Sequence, residues 1–149
     1  LEYRGLNRSF DGVLLNYFLN HSKIFPHIAH DGIDYLDGSK LLDDKNNYFF
    51  TFPNGSLLFL HCGDNIYKLD CYFLPRKRGA LAKHNIEKSI QYMFKTVKAE
   101  KIVAEASTSN KPSRYMIGSL GFNRVSVKKE AWLKEGLLYD IIVYERVNG

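Results

Sequence analysis

"CYFLPRKRGALAKHNIEKSIQYMF", residues 71–94, runs an apolar strand pattern into a proline, three cations around one glycine, and then a helix-period pattern. Where a strand ends against the first turn of a helix, unpaired backbone N–H groups meet the positive end of the helix dipole, and the two together attract an anion. A phosphate is the expected occupant. The amides from Gly79 through Ala80, Leu81 and Ala82 to Lys83 would cradle it, and Arg76 and Arg78, with Lys77 between them, would supply charge-assisted contacts. Gly79 suits the turn because a side chain there would stand between amide and phosphate. The other reading of the same cations is a solvated basic turn, and it stays open on these residues alone.

Outward from this run, Ala82, Ile86, Ile90, Met93, Phe94 and Val97 recur at helical spacing on one face, with Lys83, Glu87, Lys88 and Lys95 on the others. Upstream, aromatic and β-branched runs separated by "PNG" (53–55) and "GDN" (63–65) predict three antiparallel strands near 47–52, 56–62 and 66–74. Downstream, "KIVAEAS" (101–107) is a strand that follows a helix that follows a strand, the pattern of a βαβ crossover with parallel pairing. "NKPSRYMIGSLGF" then gives a short helix with Pro112 in its first turn and Gly121 at its end. Two last strands, near 122–131 and 138–147, join around "KEG" at 134–136. At the start, Phe10, Val13, Leu14, Tyr17 and Phe18 form an apolar stripe on a helix over 9–20 with Ser9 as N-cap, and short helical turns broken by Gly32 and Gly38 follow Pro26. The expected class is α/β: a mixed, mostly antiparallel sheet flanked by helices, in a single domain over residues 1–149.

Composition narrows the function classes. At 149 residues with 45% hydrophobic content the chain is expected to be globular with one core, and no apolar run approaches the roughly 18 residues of a membrane helix. A net charge of +5 suits an anionic ligand, an acidic partner or nucleic acid, but the cations do not gather with aromatics on one face as nucleic-acid association would require. Cys62 and Cys71 make no disulfide framework and no apolar leader is visible, so a cytoplasmic location is expected, with any sequence ahead of Leu1 outside this reading. His27 and His30 beside Asp31 and Asp34 amount to half a metal site, and no metal centre is expected.

The element order and two local motifs resemble the GNAT superfamily of N-acetyltransferases. In that family a strand closing on an apolar-Pro pair enters an Arg/Gly-rich turn and a long helix, here "FLPRKRGALA". A second family motif sets an Asn after the next strand and a short helix closing in "GF", here Asn110 with Gly121 and Phe122. The resemblance implies a GNAT-like fold with a βαβ cofactor-binding core, acetyl-CoA as cofactor, and transfer of its acetyl group to an amine by direct attack. It implies that the pyrophosphate sits on the 79–83 amides, that Phe73 and Leu74 offer main chain to pantetheine, and that Asn110 lies on the far side of the cofactor. Either register of the turn puts Leu81 where the family keeps a small residue, and Ile117 stands where a tyrosine acid is frequent, with Tyr115 pointing elsewhere on the helix. A catalytically degenerate member serving as a structural or interaction protein is the alternative. "LPRKRGALA" with "IQYMFK" also resembles a phage-encoded branch, some of it virion-associated, in which a His often holds the position of Asp70. Host cytoplasm or virion would then be the location.

Amine acetylation needs a proton acceptor, and Asp70, just ahead of "FLP", is the candidate catalytic residue. An ordinary cross-strand charge is its other reading. Cys71 is expected as a buried strand thiol, and His61 and Tyr67, facing across a hairpin, either line an acceptor groove or pack. Trp132 in the last hairpin is expected as core, loop anchor or substrate wall. The class of amine and the oligomeric state have no signature here.

Overall fold

The computed structural model describes residues 5–53, 55–75 and 80–149. Asn54 of the "PNG" turn, and Arg76, Lys77, Arg78 and Gly79 of the expected anion cradle, lie outside the described residues. The elements run β1 (Asn7–Ser9), α1 (Gly12–Leu19), α2 (Phe25–Ile28), a 3-10 turn (Ser39–Asp43), β2 (Tyr48–Phe52), β3 (Gly55–His61), β4 (Ile66–Phe73) and α3 (Ala80–Tyr92). A π turn (Met93–Val97), β5 (Lys101–Ser107), α4 (Lys111–Ser119), β6 (Asn123–Lys134) and β7 (Leu137–Val147) complete the chain.

All seven strands share one sheet in the order β1-β2-β3-β4-β5-β7-β6. Every neighbouring pair is antiparallel except β4 and β5, which α3 connects as a parallel crossover. The mixed, mostly antiparallel sheet is the expected one. β2 and β3 are buried on both faces, which is why they read as continuous apolar runs and not as alternation.

Two packed layers cover the sheet. On one face Ala82, Ile86, Ile90, Met93 and Phe94 of α3 and the π turn meet Phe50, Leu57, Phe59, Leu69, Phe73 and Ile102. Full burial of side chains such as Ile86 and Ile90 stabilises by about 1.5–3 kcal/mol each relative to exposure. The helical stripe read from the sequence is thus the buried face of α3. On the other face Leu15, Phe18 and Leu19 of α1 meet Phe49, Leu58 and Tyr72.

The first helix departs from expectation. Asp11, not Ser9, is its N-cap, its carboxylate accepting from the amides of Val13 at 3.0 Å and Leu14 at 3.2 Å. Ser9 closes β1, which pairs with β2 through Asn7↔Thr51 and Ser9↔Phe49 and had no sequence signal beyond its three residues. In this helix Leu15, Phe18 and Leu19 are buried, while Val13 and Tyr17, and Phe10 ahead of it, are exposed.

Candidate active site

β4 and β5 share only three register pairs, Ile66↔Lys101, Tyr67↔Ile102 and Lys68↔Val103. β4 nevertheless stays paired to β3 as far as Gly55↔Phe73, and β5 to β7 as far as Ser107↔Ile141. Each strand follows its outer neighbour, so past Lys68 and Val103 the two part and leave a wedge in the middle of the sheet. Because they are parallel, their C-terminal ends, and the starts of α3 and α4 that follow, lie at the same end, where open α/β sheets bind ligands.

The sequence-predicted residues line this wedge unequally. Phe73 ends β4 with its ring buried and stacked on Phe52, centroids 6.3 Å apart. Gly55, its register partner, has no room for a side chain: an added Cβ would run into the ring of Phe73. Leu74 packs beside the α1 layer. α3 opens at Ala80, Leu81 is exposed, Ala82 is buried in the core and Lys83 is exposed, so its first turn is present at the expected place. Asn110 caps α4, its side-chain oxygen accepting from the Ser113 amide at 3.2 Å. Helix α4 ends as the "GF" motif requires: Gly121 takes φ +81°, its amide bonds to Gly118, that of Phe122 bonds to Ile117, and the Phe122 ring is buried.

Asp70 points to the face opposite α3. Along β4 that face carries Lys68, Asp70 and Tyr72 at the strand period of two. Lys68 Nζ stands 3.6 Å from Asp70 Oδ1 and 4.0 Å from Glu105 Oε1 across the wedge, while Lys128 Nζ reaches Glu105 Oε2 at 2.7 Å. The Tyr72 hydroxyl donates to Asp70. Removal from water is the largest influence on Asp70 and raises its pKa above the ordinary carboxylate value, Lys68 opposing and Glu105 reinforcing the rise. A carboxylate made harder to ionise is a better proton acceptor once ionised, which suits a base. Tyr72, buried beside that charge, is held well above the usual phenol value and remains a donor.

Lys68, Tyr72 and Glu105 had no motif to announce them. The period of β4 alone puts Lys68 and Tyr72 beside Asp70, but Glu105 needs the parallel register of β5.

Other candidates fall elsewhere. His61 and Tyr67 pack against each other, ring centroids 5.2 Å apart, and Tyr67 belongs to the layer under α3, on the face away from Asp70. Cys71 is exposed and not a buried strand thiol. Tyr115 is 81% exposed, whereas Ile117 packs toward the core. The Asp31 carboxylate accepts the amides of Glu135 at 2.9 Å and Gly136 at 2.8 Å, and the His30 ring lies edge-on to Trp132, so these residues pin the β6–β7 turn to the segment after α2.

No family model and no curated protein matches the sequence. Solved structures do. A ribosomal-protein-S5-alanine acetyltransferase from Vibrio fischeri superposes with TM-score 0.73 at 15% identity, over 96% of this chain and 91% of that one. A variant spermidine N-acetyltransferase from Vibrio cholerae gives TM-score 0.76 at 14% identity, over 96% and 94%. Mutant forms of the spermidine/spermine N-acetyltransferase from the same organism give 0.75 at 14%, over 96% and 92%. The fold is that of the GNAT acetyltransferases. The mixed seven-strand sheet with its parallel β4–β5 pair is the sheet of that fold. These matches lend no support to a phage branch. Among the described residues no helix is long and apolar enough to cross a membrane, and no group of His, Cys, Asp or Glu is arranged to hold a metal ion.

Proposed function

We propose that the chain transfers an acetyl group from acetyl-CoA to an amine. The observation that carries the reading is the wedge: β4 leaves β5 after Lys68↔Val103, just ahead of "FLP" and of α3. An extended pantetheine arm fits a gap of this kind because the strand edges on either side offer main-chain partners along its length. The residues described fit the cofactor. Asn110 stands at the start of α4 and the first turn of α3 opens beyond Leu74, so both helix N-termini are at the mouth, where a pyrophosphate would gain their amides and dipoles. Arg76, Lys77, Arg78 and Gly79 belong to the same proposal on sequence grounds.

Bound acetyl-CoA supplies an activated thioester and a stable thiol leaving group. The chain's own part is to hold Phe73 and Leu74 main chain along the arm, to keep water out with the aromatic layer around Phe52 and Phe73, and to take the amine's proton on Asp70. Direct attack needs no covalent enzyme intermediate, so positioning and one carboxylate suffice. The proteins matched act, by their names, on spermidine or on an alanine of ribosomal protein S5. Only the class they share, an amine, is carried to this chain.

Melting measured with and without acetyl-CoA tests the cofactor half. Ligand at about 100 times its dissociation constant should add about 2.7 kcal/mol of stability, a shift of several degrees. Thiol release over a panel of amines tests the transfer. No shift at millimolar ligand would end the proposal. A shift without release from any amine would favour the second reading, a cofactor-binding interaction protein, which Leu81 and Ile117 at their motif positions already support.

A further inference from the structure

Among the described residues Lys68 carries the amine nearest to the candidate base. It sits at the apex of the wedge, in the last register pair before β4 and β5 part, and its Nζ lies 3.6 Å from Asp70 and 4.0 Å from Glu105. Asp70 lies on the face of the sheet away from α3, so an acceptor that reaches its carboxylate stands on that face. That is the face Lys68 occupies. Its side chain is 34% exposed and its partners are a carboxylate pair on two different strands, so Nζ is held at the position an external ammonium would take.

We propose that Lys68 is itself an acetyl acceptor, and that the protein modifies this lysine when it holds acetyl-CoA and no better amine. The inference rests on the transferase reading above. The step balances without a further reactant. Asp70 takes a proton from the Lys68 ammonium, the freed Nζ attacks the thioester carbonyl, a C–N bond forms, the C–S bond breaks, and the second amine proton passes to the departing thiolate. The products are Nε-acetyl-Lys68 and coenzyme A. Acetylation removes the cation beside Asp70 and leaves Glu105 paired with Lys128 alone, so the modified protein presents a more acidic acceptor site than the unmodified one.

Lys129 provides the internal control, since its side chain is 80% exposed, and unassisted acetylation by solution acetyl-CoA should find it before Lys68. Full-length protein is incubated with acetyl-CoA and no added amine, and peptide mass spectra are followed over time beside thiol release. Expected is acetylation of Lys68 at least about tenfold faster than of Lys129, with one thiol per acetyl group, and slowing by a similar factor in Asp70→Asn. Lys68→Arg should lose the modification and keep the acetyl-CoA melting shift. Lys128→Arg should still acquire it. Lys68 acetylated no faster than Lys129, or untouched in protein that acetyl-CoA stabilises, overturns the proposal and leaves the transferase reading standing. Absence of any melting shift removes both.

Discussion

Gly55 shows how one residue sets the geometry of a strand end. Its backbone is in an ordinary extended register with Phe73, so no turn demands glycine there; the demand comes from the ring of Phe73, which occupies the place of a Cβ. Gly55→Ala should push that ring off Phe52 and shift the last residues of β4, at a stability loss of about 1–3 kcal/mol. Urea unfolding checks the loss, and a weaker acetyl-CoA melting shift checks that the strand end contributes to the proposed cofactor site. An alanine variant as stable as the parent would mean that Phe73 relaxes freely. The environment of Asp70, the proposed base, was not legible in the sequence. Its position before "FLP" marks it, whereas the Tyr72 donor, the Lys68 contact and the opposing charge of Glu105 depend on a strand face and a neighbour that no local pattern encodes. With its pKa raised, mainly by burial, the acid limb of kcat/KM should lie above the ordinary carboxylate range, activity rising with pH as Asp70 ionises. Asp70→Asn should lower kcat by about 10²-fold or more and abolish that limb. A variant that keeps both rate and limb would assign the proton to another group.

Among the elements, α3 and α4 were written plainly and α1 was not. Thirteen residues of α3 repeat one apolar face long enough to settle its orientation, and α4 announces itself by Asn110, Pro112 and the Gly121 stop. Only two turns make up α1, too few for an apolar stripe to settle which face packs on the sheet. Ser9 and Asp11 are equally good caps by composition. Strand β1 is too short for alternation to mean anything, and its pairing with β2 is a tertiary choice. The wedge itself has no local signature, because where two parallel strands stop pairing is decided by their outer neighbours. Asn110 lets a structural role be separated from a ligand role. Its oxygen caps α4, a function serine also performs. Asn110→Ala should therefore cost about 1 kcal/mol of stability, and Asn110→Ser only a few tenths. If the amide nitrogen also meets the cofactor, the serine variant will fold normally yet show a smaller acetyl-CoA shift. Equal shifts in the serine variant and the parent would confine Asn110 to capping.

At the scale of the whole molecule, carboxylates join segments far apart in sequence, and their titration should govern acid stability. Asp31 holds the β6–β7 turn through the Gly136 and Glu135 amides, which lower its pKa, and the Asp31 amide donates to Leu133 in the same contact. Asp37 is brought down to about 2 by the Ser39 hydroxyl first, then Asn16 of α1, and Asp140 is lowered chiefly by the Glu130 amide. For each of these the native state binds its proton less readily than the unfolded chain, whose value is 3.8. Their contribution is complete above pH 3.8 and is lost as the pH falls through the native values. Asp70 has the opposite sign: its raised pKa favours the folded state in acid, and that help fades as the pH climbs past 3.8 toward the native value. Glu87 is lowered as well, so the lowered carboxylates outnumber it and stability should fall from pH 4 toward pH 2. Asp31→Ala isolates one component. Its urea midpoint should lie below the parent's at pH 7, and the gap should close on acidification, because a protonated Asp31 has lost the charge that both amides favour. A gap that stays constant down to pH 2 would show that the turn is held by the Leu133 and Lys134 contacts instead, and that the Asp31 charge adds nothing to it.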